Sequence, residues 1–226
     1  MRFCLPLLMF GVFFATPFAR AADNELTPAE KAAGWQLLFN GHDTTGWKCN
    51  TGTPVATKVE DGSLVPHKAG GYLIIYDKQF GDFILKCDVK MADADCNSGI
   101  FFRVGDPKNP VYTGFEVQVF NSNRTGFHDF GALYDLVRPT KNNIKPDDWN
   151  SVEIKAQGPL INVKVNGEEV SKINVDEWSE KGKRPDGSKH KFGVAIKDMP
   201  RVGYLGFQDH DHKCWYKNVK LLELKP

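Results

Sequence analysis

The chain has 226 residues, of which 41% are hydrophobic and 25% are charged. These fractions lie near the average of globular proteins and exclude a wholly disordered chain. The 29 basic and 28 acidic residues give a formal net charge of +1, which argues against a general nucleic-acid binder. The length suits a single β-rich domain.

Residues 1–21 predict an export signal. Arg2 gives a short positive start, an apolar run follows over Leu5–Phe14, and Ala19-Arg20-Ala21 places small residues at the positions that a signal peptidase reads. The apolar run is shorter than the roughly 20 residues that a membrane anchor needs. We therefore expect a secreted or periplasmic protein, cleaved after Ala21, with no membrane attachment in its mature form.

Cleavage after Ala21 would remove two arginines and one cysteine, so that the mature chain has a net charge of −1. The remaining cysteines are Cys49, Cys87, Cys96 and Cys214. An even number in an exported chain permits disulfides, but four cysteines allow three pairings. The sequence does not select one of them, and free buried thiols stay an equal alternative.

Residues 22–33 form a predicted leader segment with one short helix. Thr27 is a capping residue, Pro28 suits the first turn, and Glu30 lies three residues after the cap. Residues 34–226 show no further helical periodicity, internal repeat or low-complexity linker, and are predicted to form one domain.

Short alternating or apolar runs recur between turn residues in that domain. The predicted strands are Trp35–Phe39, Tyr72–Ile75, Phe83–Met91, Gly99–Val104, Phe115–Phe120, Ala132–Leu136, Ser151–Ala156, Leu160–Val165, Glu169–Ile173, Val202–Asp209 and Cys214–Leu224. Asn166-Gly167 predicts a type I′ hairpin. The polar run Ser179–Lys191 is interpreted as a solvated loop. An all-β, two-sheet antiparallel sandwich fits this pattern.

Period-two geometry predicts which side chains share a face of a strand. The predicted core set comprises Phe115, Val117, Val119, Ser98, Ile100, Phe102, Val104, Leu205 and Phe207. The opposite, open face is predicted to carry Asn97, Phe101, Arg103, Glu116, Gln118, Phe120, Tyr204, Gln208 and His210. Three strands thus offer polar and aromatic side chains together.

Such a face suits a sugar, which needs hydrogen-bond partners for its hydroxyls and an aromatic surface for its C–H groups. An ordinary solvated sheet face is the alternative, because antiparallel sheets often have one wet side. The presence of Arg, Gln, Asn and Phe rather than Lys, Thr and Ser favours binding. The near-neutral charge fits an uncharged carbohydrate partner.

A set of short motifs occurs in order along nearly the whole mature chain, from Gly34 to Leu224. They are Leu38–Gly41, Gly46–Trp47, Phe80–Phe83, Asn97–Arg103, Phe115–Gln118, Gly131–Tyr134, Trp149–Asn150, Asn166–Gly167 and Gly206–His210. The ordered set resembles the 3-keto-disaccharide hydrolase domain family. The resemblance implies a concanavalin A-like lectin/glucanase jelly roll that cleaves glycosides oxidised to a ketone at sugar C3, as a hydrolase or a lyase.

The implied reaction needs a base for the C2 proton, a group that polarises the enolate oxygen, and an acid for the leaving oxygen. We hypothesise that Glu116 or His210 supplies the base or acid. Arg103, with Gln118 or a divalent metal ion, would stabilise the oxyanion. The substrate-binding candidates are Asn97, Phe101, Gln118, Tyr134, Gln208 and His128.

Two other functions stay open. An ordinary glycosidase needs a pair of carboxylates, but the run Phe115–Asn121 supplies only Glu116, with Gln118 and Asn121 at the other acidic positions of lectin-fold glucanases. A non-catalytic carbohydrate-binding module would need the same polar and aromatic face without a titratable group of shifted pKa.

The run Asp209–His212 raises the question of a metal site. Alternating histidines on a strand would share one face, and a cation there would suit enolate stabilisation. The spacing is not a specific ligand motif, and His128-Asp129 is equally suggestive. No cofactor follows from the sequence with certainty.

Overall fold

The computed structural model describes residues 22–225; the predicted export signal lies outside this range. Within it, two short helices and eleven strands follow one another. The helices are α1 (Pro28–Ala32) and α2 (Pro110–Thr113). The strands are β1 (Gln36–Leu37), β2 (Trp47–Cys49), β3 (Leu73–Phe80), β4 (Phe83–Met91), β5 (Asn97–Val104), β6 (Phe115–Phe120), β7 (Asn150–Gln157), β8 (Leu160–Val165), β9 (Glu168–Asn174), β10 (Gly203–Gln208) and β11 (Cys214–Glu223).

The strands form two antiparallel sheets. One has the order β1-β11-β4-β7-β8-β9 and the other has the order β2-β3-β10-β5-β6. Side chains alternate as the pleat requires: in β4 every second residue from Phe83 to Met91 is buried. The inward faces of both sheets form one apolar core. The predicted all-β, two-sheet sandwich is therefore confirmed.

Most predicted elements occur at or near their expected bounds. The predicted capping box of α1 is present, because Thr27 and Glu30 each bond to the other's backbone N–H. The Asn166-Gly167 turn has positive φ at both residues, as a type I′ hairpin requires. The sequence interpretation missed the short β2 and the short α2. Ala132–Leu136 is irregular rather than a strand, although Leu133 forms an isolated antiparallel bridge with Val117.

Alternation breaks in β5 at Arg103, where φ is 50°. Phe101 pairs with Gly206 and Val104 pairs with Tyr204, so β5 has one more residue than β10 over this stretch. This is a β-bulge. As a result, Val104 joins Phe101 in a small apolar cluster on the face of the five-stranded sheet that points away from the other sheet. This face is called the outer face below. The prediction of Val104 on the core side is wrong.

The bulge also removes Arg103 from the outer face. Its guanidinium is fully buried and donates to the carbonyl oxygens of Gly81 and Gly158, at 3.1 and 3.0 Å, and to the Asp82 carboxylate at 2.8 Å. Gly81 and Asp82 connect β3 to β4, and Gly158 connects β7 to β8. Arg103 thus ties the two sheets together. The prediction that it lies beside Glu116 and stabilises an oxyanion is wrong.

No helix among residues 22–225 is long and apolar enough to cross a membrane.

Replacing Arg103 with Met should lower the free energy of unfolding by about 3 kcal/mol, because it removes three hydrogen bonds of a buried guanidinium and its ion pair with Asp82. Urea denaturation measures this change. Arg124→Met is the matched control, since that side chain is 73% exposed and lies 3.8 Å from Asp129; its loss should cost less than about 1 kcal/mol. Equal stability of the two variants would contradict the structural role of Arg103.

Candidate active site

A small cleft opens on the outer face of the five-stranded sheet. It is lined by Tyr72, Asn97, Val111, Glu116, Gln118, Tyr134, Lys191, Gln208 and His210. The cleft brings together six of the nine predicted site residues, namely Asn97, Glu116, Gln118, Tyr134, Gln208 and His210. Their predicted face is not open, because loops cover it: Glu116, Gln118 and Gln208 are all buried.

Glu116 occupies the floor of the cleft. Its position in β6, between core residues Phe115 and Val117, directs the carboxyl to the outer face. The side chain is only 8% exposed, and none of the residues 22–225 hydrogen-bonds to its carboxyl. Burial raises the pKa of Glu116 to about 8, against a smaller lowering by the charge of Lys191. A carboxyl of this kind can exchange a proton near neutral pH.

Gly99 provides the space for that carboxyl. It lies on β5 directly opposite Gln118, and the pair formed by Phe101 and Glu116 follows two residues along. A methyl group at position 99 would collide with Oε1 of Glu116. The predicted strand therefore carries its glycine for close approach rather than for backbone freedom.

Tyr134 is placed beside Glu116 by an irregular segment that follows the edge of β6. The Gln118 N–H bonds to Ala132 at 3.0 Å, and the Tyr134 N–H bonds to the Glu116 carbonyl at 2.9 Å. Because these two hydrogen bonds hold the segment against the edge of the sheet, the Tyr134 ring lies at the cleft wall. Burial, followed by the charge of Glu116, raises the pKa of the Tyr134 phenol, which keeps it a hydrogen-bond donor.

A second loop reaches the cleft from the connection between β9 and β10. Arg184 anchors it: the buried guanidinium donates to the carbonyl oxygens of Leu136 at 3.1 Å and Asp135 at 2.6 Å, and stacks 3.8 Å from the centre of the Phe127 ring. The Asp135 carboxylate in turn accepts the Lys191 N–H at 2.6 Å. The run Ser179–Lys191 is therefore not only a solvated loop, because hydrogen bonds hold it against the cleft.

This anchoring places Lys191 over the Tyr134 ring, with Nζ 3.9 Å from the ring centre. Sequence reasoning missed Lys191 because it treated the run's basic residues as surface. Lys191 is the one cationic Lys or Arg side chain that lines the cleft in the described chain. The cleft therefore holds a cation, although it is not the Arg103 of the sequence hypothesis.

Gln208 and Tyr72 form the opposite wall. The Gln208 amide nitrogen donates to the Tyr72 hydroxyl, while its Oε1 is buried without a hydrogen-bond partner in the described part of the chain. A buried acceptor without a partner is rare in folded proteins and is suited to a hydroxyl donated by a ligand. Burial raises the pKa of Tyr72 to about 12, with a further rise from the charge of Glu116. Sequence reasoning did not single out Tyr72.

Gln118 has a different role from the one predicted. Its amide nitrogen donates to Asn97 Oδ1 at 2.8 Å and to the Ser98 carbonyl at 3.1 Å. Both amide hydrogens are thus engaged within the sheet, so Gln118 does not supply a donor for an oxyanion. It holds Asn97 at the cleft.

Two predicted substrate ligands lie outside the cleft lining. Phe101 is fully buried beneath Tyr72, with ring centres 6.2 Å apart, and so supports that ring without meeting solvent. His128 is exposed, stacks on Tyr134 at 4.7 Å between ring centres and faces Asp135 at 3.4 Å. Both support cleft residues from behind or from the side.

His210 reaches the cleft from the loop that follows β10. Asp209 anchors that loop, since its carboxylate accepts the Lys68 N–H at 2.7 Å and faces His67 Nδ1 at 3.3 Å. Because residues 209–213 are not a strand, the alternation argument for a metal site does not apply. Across residues 22–225 no three His, Cys, Asp or Glu side chains form a ligand group.

A larger hollow lies on the far face of the six-stranded sheet, beside α1. Two of its carboxylates are ion-paired: Glu30 lies against Lys220, and Glu153 lies 3.3 Å from Lys86 and 3.1 Å from Lys164. Although burial opposes it, hydrogen bonding and charge from these lysines lower the pKa of Glu153. Glu153 therefore differs from Glu116, whose carboxyl is buried without a hydrogen-bond partner in the described chain.

Two solved structures from Parabacteroides distasonis ATCC 8503 are similar over most of the chain, and each is described as a "putative glycosyl hydrolase". One shares 30% identity and a TM-score of 0.73, covering 90% of this chain and 100% of that one. The other shares 25% identity and a TM-score of 0.74, covering 84% and 99%.

Apo Crh5 transglycosylase aligns over 85% of this chain and 84% of its own with 14% identity and a TM-score of 0.50, which shows the fold alone. The fold is the jelly roll of concanavalin A-like proteins. The search of curated proteins found no match. The sequence pattern of the 3-keto-α-glucoside-1,2-lyase-like domain matches residues 34–222, and the chain therefore belongs to that family.

Proposed function

We propose that the protein is an enzyme that cleaves glycosides whose sugar carries a ketone at C3. The observation that carries the proposal is the isolated, buried carboxyl of Glu116, which has a pKa near 8 and lies in a cleft with Lys191. The family and the similar structures support a carbohydrate substrate. The near-neutral chain offers no charged field that would demand an ionic ligand.

The chemistry of a 3-keto sugar suits one base and one cation. The ketone acidifies the hydrogen at C2, so that the Glu116 carboxylate can remove it. The electron pair moves to the C3 oxygen, and the positive charge of Lys191 stabilises the enolate. The enolate then expels the C1 oxygen substituent, and His210 supplies the proton that the leaving oxygen takes.

The product of this elimination is an enone, which water can convert to the free 3-keto sugar by addition at C1. The enzyme would act as a hydrolase if this hydration occurs in the cleft and as a lyase if the enone is released. Gln208 Oε1 and the Tyr72 and Tyr134 hydroxyls would hold the sugar hydroxyls during the reaction.

Direct glycosidase action fits the cleft less well. Retaining and inverting enzymes use two carboxyl groups, whereas Glu116 is the one acidic residue in the cleft lining of the described chain. A non-catalytic binding module would not need to bury an unpaired carboxyl, because the burial opposes its ionisation without serving recognition.

Export of the enzyme to the periplasm or medium also remains part of the proposal. It rests on the predicted signal in residues 1–21, which lie outside the described residues.

Replacing Glu116 with Gln should lower kcat on 4-nitrophenyl 3-keto-glucosides by about 10²–10⁴-fold, because the isosteric amide cannot accept the C2 proton. KM should change little. Release of nitrophenol measures turnover with each anomer. The control is Glu153→Gln, a strand carboxyl on the other sheet, which should leave kcat unchanged. Full activity of Glu116→Gln would contradict its role as base, and binding without turnover by the wild type would favour a binding module.

The pH dependence should report the ionisation of Glu116. We expect kcat/KM to rise with pH and to level off above about pH 8, since only the carboxylate can act as a base. Lys191→Met removes a charge that lowers this pKa, so the rising limb should move to higher pH and kcat should fall. Lys191→Arg, which keeps the charge, should restore the position of the limb. A limb that stays in place in Lys191→Met would contradict the proposed coupling.

A further inference from the structure

Two of the four cysteines in the described chain lie in contact. The Sγ atoms of Cys96 and Cys214 are 2.7 Å apart, and both residues are buried. Cys96 precedes β5 of one sheet, and Cys214 begins β11 of the other. Cys49 and Cys87 are buried separately in β2 and β4 and contact no other cysteine in this part of the chain.

The cysteine pair belongs to a polar seam between the two sheets. One residue after Asn97, Ser98 shares a 2.7 Å hydrogen bond with the Tyr216 hydroxyl and donates to the Gln208 carbonyl oxygen at 2.7 Å. The seam thus connects the start of β5, the start of β11 and the end of β10. These are the segments that carry Asn97, Gln208 and His210 to the cleft.

We propose that Cys96 and Cys214 form a disulfide bond that fastens the loop carrying His210 to the start of β5. A disulfide bond is about 2.0 Å long, so the sulfur atoms need approach by only about 0.7 Å. In the oxidation, the two thiols lose two protons and two electrons, and a disulfide reagent such as oxidised glutathione is reduced to two thiols.

The order of steps follows from the two sulfur environments. The hydrogen bond from Cys214 lowers the pKa of Cys96, which favours Cys96 as the thiolate that attacks the external disulfide. Cys214 then attacks the mixed disulfide and displaces the second reagent thiol. Because both sulfurs are buried in the folded chain, the bond should form while the chain folds.

The bond would act on the site through the loop over residues 209–213. Gln208 is held by Ser98 on one side of this loop, and Cys214 would be held by Cys96 on the other. The loop would then be closed at both ends, which restricts the positions open to His210. This consequence rests on the proposed function, whereas the bond itself does not.

The test is to refold the full chain with oxidised and reduced glutathione, block free thiols and map tryptic peptides by mass spectrometry. We expect a peptide of residues 91–103 linked to a peptide of residues 214–217, lost after reduction. The oxidised protein should melt about 5–10 °C above the reduced protein. Cys96→Ala should abolish this difference, whereas Cys87→Ala, at an equally buried thiol, should retain it.

A second readout separates the bond from the enzyme function. Amide hydrogen exchange in residues 209–213 should be slower in the oxidised protein, and this holds whether or not any glycoside is cleaved. Recovery of Cys96 and Cys214 as free thiols from wild-type protein refolded in oxidised glutathione would overturn the proposal. So would a linkage of Cys96 or Cys214 to Cys49 or Cys87. Neither result depends on a variant that must fold.

Discussion

Removal of the Glu116 carboxyl from water is the constraint on which the site depends. The strand β6 fixes its direction, Gly99 leaves room for it, and the loops that bear Tyr134 and Lys191 cover it. The carboxyl is thereby largely buried, and none of the residues 22–225 hydrogen-bonds to it. The same burial that raises the pKa of Glu116 also strengthens its interaction with Lys191, because the local dielectric is low.

This arrangement carries a cost in stability. The pKa of Glu116 is about 8 in the folded chain, against an ordinary value of 4.5. The contribution of Glu116 to the free energy of unfolding is therefore fully present below pH 4.5. It is lost as the pH rises through 8. The ties made by Arg103 between the sheets and by Arg184 between the loops offset such a cost. Both arginines thus support the cleft without lining it.

The sequence was sufficient for most of the regular elements and for part of the site. Strict alternation in β6 and β10 correctly placed Glu116, Gln118 and Gln208 on one face. The same rule failed at Arg103, because a bulge has no marker in a single sequence. Lys191 was not predictable, since its position comes from long-range contacts of Arg184 and Asp135 and not from a local pattern. The covering loops likewise converted an expected open face into a closed cleft.

The central claim is that Glu116 exchanges its proton near neutral pH. The direct measurement is a titration of the ¹³C-labelled glutamate carboxyl groups by NMR, with the Glu116 signal assigned by its absence from Glu116→Gln. We predict that the Glu116 signal titrates with a midpoint near pH 8, separate from the signals of the other glutamates. A midpoint near the ordinary value of 4.5 would show a solvated carboxylate and would contradict the account.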